Sequence, residues 1–316
     1  MMLHFFALTA VSATIIPFHF DEHYRPFVSN VTIPGDTDFN ASIAVMITLQ
    51  SSSYAAFGST RVNELSARHG ISLGDTFVLG SRMIHGPLRY WFVDREVENM
   101  VHLGIGRAGR LLEHFGPISV LKNESSGTGL LILEDLDAVN YNLSCSPGSI
   151  IHIPFRSRRD TFGELSDSTI GVSHALVFRN GTELLDREWS TSSVHSYAVP
   201  HPTSLGIPEH LAREIHSIID SSGAGRRDLM SSKVANCNFR SLIDQLPQIK
   251  LSVTESTAEI VLSPEDYIAF NRVSSECIVR IAIATRQSTP HLNPLAIPGI
   301  NMHITIDGIA LCDSTE

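Results

Sequence analysis

The chain has 316 residues, enough for two lobes of about 150 residues each or for one large domain. Hydrophobic residues make up 43%, which excludes a disordered chain, and 21 glycines and 15 prolines exclude collagen-like or low-complexity sequence. The formal net charge is -10 and the only lysines are Lys122, Lys233 and Lys250, so an acidic surface that repels phosphates makes a nucleic-acid partner unexpected.

At the N-terminus, residues 3–13 (LHFFALTAVSA) form a short apolar run that ends in small residues. It reads as a signal peptide over residues 1–13, with a cut as far along as about residue 20 as the variant reading. The competing reading is a buried first strand. No later stretch reaches the 18 apolar residues of a membrane span. Five glycosylation sequons begin at Asn30, Asn40, Asn123, Asn142 and Asn180, all in the first 182 residues, which suits the surface loops of a secreted protein. Four cysteines, Cys145, Cys237, Cys277 and Cys312, show no metal-type spacing, so two disulfides are expected of an exported chain.

Short β-branched runs separated by turn residues follow one another at 42–49, 76–80, 129–133, 150–155, 171–178, 249–253, 278–284 and 302–306. This spacing predicts an all-β chain, a sandwich or barrel. Helices are predicted at 110–115 and at 208–219, the second with Pro208 in its first turn and Leu211, Ile215, Ile218 and Ile219 on one face. The polar segment 157–168 divides the chain near its middle. Gly104, Gly106 and Gly109 form a GxGxxG after a strand-like run, and Glu124 lies 20 residues on, where a dinucleotide fold would hold a ribose. The helix that follows is too short for a βαβ crossover, which argues against that fold. His210 and His216 lie six apart and do not share a helix face for a metal, and most of the remaining histidines read as surface or interface residues.

Over residues 30–312 the order of several segments resembles the pepsin-like aspartic peptidases. His102 to Gly109 (HLGIGRAG) is similar to the first lobe's hydrophobic-hydrophobic-Gly segment with its helix. Residues 127–137 (GTGLLILEDLD) and 141–155 resemble the strands that lead from one lobe to the other. Residues 199–207 (VPHPTSLGI) are similar to the second lobe's catalytic segment. Residues 237–249, 262–267 and 292–307 resemble the rest of that lobe, in the right order. The resemblance implies a bilobed double β-barrel with a central cleft, an N-terminal lobe at 21–156 and a C-terminal lobe at 157–316.

That family cleaves peptides with two aspartates, one per lobe, which share a proton over a water because two touching carboxylates cannot both ionise. Carried onto this chain, the first aspartate position holds Thr48, followed by Leu49, Gln50, Ser51 and Ser52. The second holds Pro200, followed by His201, Pro202, Thr203 and Ser204. Neither Thr48 nor Pro200 is an acid or base near neutral pH, and no Asp-Thr/Ser-Gly triplet occurs in the chain. The segment 53–74 is short for the family's covering hairpin and has Tyr54 as its only tyrosine, and no basic prosegment is seen. The resemblance therefore implies a pseudoenzyme with no catalytic residue, no cofactor and no metal, whose cleft holds a peptide or protein ligand. It also implies a Cys237–Cys277 bridge in the second lobe and, with it, a Cys145–Cys312 bridge in the sheet shared by the lobes. Two alternatives stand beside it: an active aspartic endopeptidase with differently aligned loops, and a structural surface or matrix protein. A hydroxyl–histidine pair of His201 with Thr48, Ser51 or Ser204 would need an orienting carboxylate that the sequence does not supply.

Overall fold

The computed structural model describes residues 13–20, 26–34, 40–49, 55–57, 76–79, 82–85, 89–90, 101–105, 110–123, 126–154, 170–188, 205–207, 209–219, 233–234, 243–244, 246–253, 256–271, 276–283, 291–297 and 299–315. These residues are mostly β. The first half runs β1 (Thr14–Phe20), β2 (Pro26–Pro34), β3 (Asn40–Thr48), β4 (Ala55–Phe57), β5 (Thr76–Leu79), β6 (Arg82–His85), β7 (Arg89–Tyr90) and β8 (Val101–Gly104). Helix α1 (Arg110–Phe115), β9 (Ile118–Asn123), β10 (Thr128–Leu133), α2 (Val139–Leu143) and β11 (Ile151–Pro154) complete it.

The second half begins with β12 (Ile170–Arg179), β13 (Thr182–Glu188), β14 (Leu205–Ile207), α3 (Glu209–Ile219) and β15 (Lys233–Val234). Next come β16 (Gln248–Val253), β17 (Glu259–Leu262), α4 (Pro264–Tyr267), β18 (Ile268–Asn271), β19 (Glu276–Val279) and β20 (Ile281–Ile283). It closes with β21 (His291–Leu292), a 3-10 turn (Pro294–Ala296), β22 (Ile300–Ile304) and β23 (Gly308–Asp313).

Connectivity repeats between the halves. In each, a strand (β8 or β21) leads through a short helical turn into a hairpin, β9–β10 or β22–β23. The outer strand of each hairpin is paired antiparallel by a strand of the first half, β1 on β10 and β11 on β23. The hairpins meet back to back, β9 against β22, with Ile118 opposite Ile304, Ser119 opposite His303 and Val120 opposite Met302. The six strands β11-β23-β22-β9-β10-β1 are thus arranged about a local two-fold between Ser119 and His303. A second element repeats as well. β4 lies between β8, antiparallel, and β7, parallel, as β14 lies between β21, antiparallel, and β20, parallel.

Side-chain alternation explains the layers. β1 buries Ile16 and Phe18 and exposes the residues between them, as a strand with one solvated face must. The central hairpins are buried on both faces. Ile118, Val120, Met302 and Ile304 point into the main core, and Leu121, Ile132, Ala310 and Cys312 form a second cluster with Tyr141 of α2 and Cys145. The hairpin β9–β10 can sit this close to β1 only because residue 129 is glycine. A Cβ there would lie 2.2 Å from the Phe18 ring and 2.5 Å from the Leu121 carbonyl oxygen.

The helix at 110–115 forms as predicted, and the one predicted at 208–219 is described from Glu209. Two sequence expectations change. The run 278–284 is not one strand: it breaks at Arg280, whose N–H donates to the Tyr267 carbonyl (2.7 Å), and β19 and β20 belong to different sheets. Among the described residues two histidines are buried, His216 and His303, at 1% and 8% exposure. β13 was not expected from its polar sequence. It forms because Asn180 and Gly181, both at positive φ (51° and 76°), make the two-residue turn that matches strand twist and returns the chain along β12. The GxGxxG reading also loses its context. Six-residue α1 leads into β9, which pairs antiparallel with β10 and β22, so α1 is no crossover between parallel strands.

Candidate functional site

Thr48 ends β3, and β3 pairs parallel with β8 so that Thr48 lies opposite Gly104. Two chain segments far apart in sequence therefore converge where the resemblance sets the first catalytic turn. Leu49, at the position of a locking hydroxyl, is 4% exposed and belongs to the main apolar core. On the other side, β14 begins directly after Ser204 and pairs with β20 and β21. Gln50, Ser51, Ser52, Tyr54, Pro200, His201, Pro202, Thr203 and Ser204 lie outside the described residues, as do residues 1–12, the polar segment 157–168 and Glu124.

At the local two-fold the structure assembles a polar network on the outer face of the central sheet. Ser119 Oγ donates to Asp135 Oδ2 (2.6 Å) and lies 2.8 Å from His303 Nδ1. Serine has one proton. The carboxylate takes it, so Nδ1–H of His303 must donate to Ser119 Oγ. Asn140 Nδ2 donates to the other oxygen of Asp135 (3.2 Å), and the Tyr141 ring lies against the His303 ring with centroids 5.6 Å apart. This order of groups is wrong for nucleophilic catalysis, which needs the imidazole to accept the serine proton. Ser119 is also fully buried, out of reach of a substrate, and the network ties the two hairpins together.

Burial pushes His303 down from the ordinary histidine range, His152 adds to the fall, and Asp135 opposes it. A base with a lowered folded-state pKa binds fewer protons folded than unfolded, so its contribution holds above about pH 6.5 and is lost as pH falls below it. The expected loss is at most about 1.4 kcal/mol per pH unit. Urea unfolding of the wild type and of His303→Gln between pH 7 and pH 5 measures it. The wild type should lose more stability on acidification than the variant, and parallel profiles would refute the assignment.

Lys122 is also buried at this junction, beside the buried Asn301. Its Nζ donates to the carbonyls of Pro294 (2.5 Å) and Ile297 (2.6 Å). Its backbone N–H donates to Asn301 Oδ1 (2.7 Å), and its carbonyl accepts from Ser314 Oγ (3.0 Å). Burial holds the Lys122 amine well below the usual lysine range, the Arg280 guanidinium lowers it further, and Asp266 partly offsets both. Sequence reading noted Lys122 only as one of three lysines. The available signal was a lone cation inside the apolar run Ile118–Asn123.

On the open face of the β12–β13–β16 sheet, Asp186 Oδ1 meets His174 Nε2 at 2.6 Å, while His174 Nδ1 stands 3.5 Å from Ser252 Oγ. That last distance is at the limit of a hydrogen bond, so the hydroxyl is not activated. Cys145 and Cys312 are bonded, with Cα atoms 5.5 Å apart. Cys277, fully buried on β19, is disulfide-bonded too, and Cys237 lies outside the described residues. The side chains of Asn123, Asn142 and Asn180 are exposed; Asn30 and Asn40 fall on β2 and β3, and their side chains are not among those described. Among the described residues no helix is long and apolar enough to cross a membrane. No protein-family model matches the chain, and no curated protein matches it.

Proposed function

We infer that the chain is a secreted, glycosylated, bilobed protein of the pepsin-like type that holds a peptide or protein without cleaving it. The observation that carries this reading is Thr48. It ends β3 opposite Gly104, on a parallel strand pair, in the place where the reading requires an aspartate. Connectivity repeated about a local two-fold supports a two-lobed origin, and the duplicated β4 and β14 arrangements support a cleft bordered by both halves. Peptide hydrolysis by paired carboxylates has no groups to run on, since general acid–base catalysis contributes roughly 10² to 10⁴-fold per group. Exposed sequon asparagines and a bonded cysteine pair support export. Leu49 favours the second reading, a structural surface or matrix component, because a buried leucine closes the junction where a binding cleft would need a polar turn.

Protein purified from a secreting eukaryotic host should leave denatured protein substrates intact from pH 2 to pH 7, and should retain apolar peptides on an immobilised peptide array. Cleavage blocked by a statine-type transition-state analogue would overturn the pseudoenzyme reading. Neither cleavage nor peptide retention would leave the structural reading in its place.

A further inference from the structure

Tyr141 points inward from α2 and is buried on the central sheet, so α2 covers the second cluster of Leu121, Ile132, Ala310 and the Cys145–Cys312 bridge. The outward side of α2 is aliphatic. Leu143 is 77% exposed, Val139 53% and, in the turn before the helix, Leu136 61%. Val139 and Leu143 stand four residues apart on one helix face. At the rim, Ile15 lies beside Ile132 across the β1–β10 pair and is itself 54% exposed. Three large aliphatic side chains are therefore exposed within the eight residues 136–143, with Ile15 exposed on β1, and such clustering marks a covered surface.

The cover is written into the helix. Asn142 of the sequon Asn142-Leu143-Ser144 is exposed, three residues from Val139 and next to Leu143, on the same outward side of α2. We propose that an N-linked glycan on Asn142 lies over Leu136, Val139 and Leu143 and keeps this face from associating with a second copy of the chain. In the transfer, Asn142 Nδ2 bonds to the anomeric carbon of a lipid-linked oligosaccharide diphosphate. The carbon–oxygen bond to the diphosphate breaks, the lipid diphosphate leaves, and Nδ2 gives up one proton. Among the described residues no such patch lies beside Asn123 or Asn180. Asn180 is in a tight hairpin turn flanked by Arg179 and Glu183, and Asn123 is at the end of β9 with its Oδ1 accepting from the Ser126 N–H.

This inference rests on the export reading, and the test separates the two. The full chain is expressed in a glycosylating secretory host as wild type, Asn142→Gln, Asn123→Gln and Asn180→Gln. Intact mass, binding of an apolar-surface dye and sedimentation at several concentrations are then measured. Asn142→Gln should lose one glycan mass, bind several-fold more dye and self-associate with rising concentration. The two control variants should lose a glycan and stay monodisperse. Adding Leu143→Ser and Val139→Ser to Asn142→Gln should restore the monodisperse behaviour. Enzymatic removal of glycans from the folded wild type gives the same readout without a substitution that affects folding. A chain with no glycan at any of the five sequons would sink the export reading itself. Glycans elsewhere with a bare Asn142, or a glycan-free Asn142→Gln that neither binds dye nor associates, would overturn this proposal alone.

Discussion

Replacing Lys122 with alanine is expected to cost about 4 kcal/mol and to lower the melting temperature by roughly 10 °C. The reason is position. Lys122 sits on β9 in the first half of the chain, yet its amine holds the carbonyls of Pro294 and Ile297, more than 170 residues on. Truncation removes the packed aliphatic stem, leaves a cavity beside the core and takes away two charge-assisted hydrogen bonds. Lys122→Met separates these effects. It keeps the stem, abolishes the amine, and removes the cost of burying a cation next to Arg280. Each carbonyl also keeps a second, longer bond, Pro294 from the Ile297 N–H (3.2 Å) and Ile297 from the Ile300 N–H (3.4 Å). The methionine variant should therefore lose less than half of what alanine loses. Denaturant unfolding of both variants is the check, and equal losses would show that the hydrogen bonds, not the stem, carry the residue.

Breaking the Cys145–Cys312 bridge should cost a similar amount. The bond closes a loop of 167 residues, for which the chain-entropy model gives about 5 kcal/mol. The native side of the balance favours a full effect, because the bridge reinforces contacts already made around it. Ser146 N–H donates to the Asp313 carbonyl (2.9 Å), Thr315 N–H to the Ser144 carbonyl (3.0 Å), and residues 145 and 314 form an isolated β-bridge. Both cysteines are buried in the second cluster, so the double variant Cys145→Ala, Cys312→Ala keeps their apolar environment and avoids burying a hydroxyl. It should unfold at a markedly lower denaturant midpoint than the oxidised wild type and with a steeper slope, because the unlinked unfolded chain exposes more surface. An unchanged midpoint would refute the chain-entropy account of this bridge.

Much of the all-β character was legible in the chain. Short β-branched runs between turn residues placed β3, β5, β10, β11, β12, β16 and β22 to within a few residues, because strand propensity and turn chemistry are local properties. α1 and α3 were legible for the same reason. The order of segments also led to the pairing of Cys145 with Cys312 through a family resemblance, and the bridge is present. Composition alone excluded disorder.

What escaped depends on contacts distant in sequence. β13 has no apolar alternation to announce it and exists because the Asn180–Gly181 turn folds it onto β12. The break at Arg280 is set by Tyr267 on another element, not by its β-branched neighbours. Ser119 meets His303 across 184 residues, and neither residue type signals in its own strand that it will be buried. Local patterns decide which residues extend and which turn, since those preferences act over a few bonds. Which buried polar group answers which other is decided only when the two hairpins close on one another, because a hydrogen bond in a dry interior needs a particular partner at about 3 Å and the chain does not bring it near until it folds.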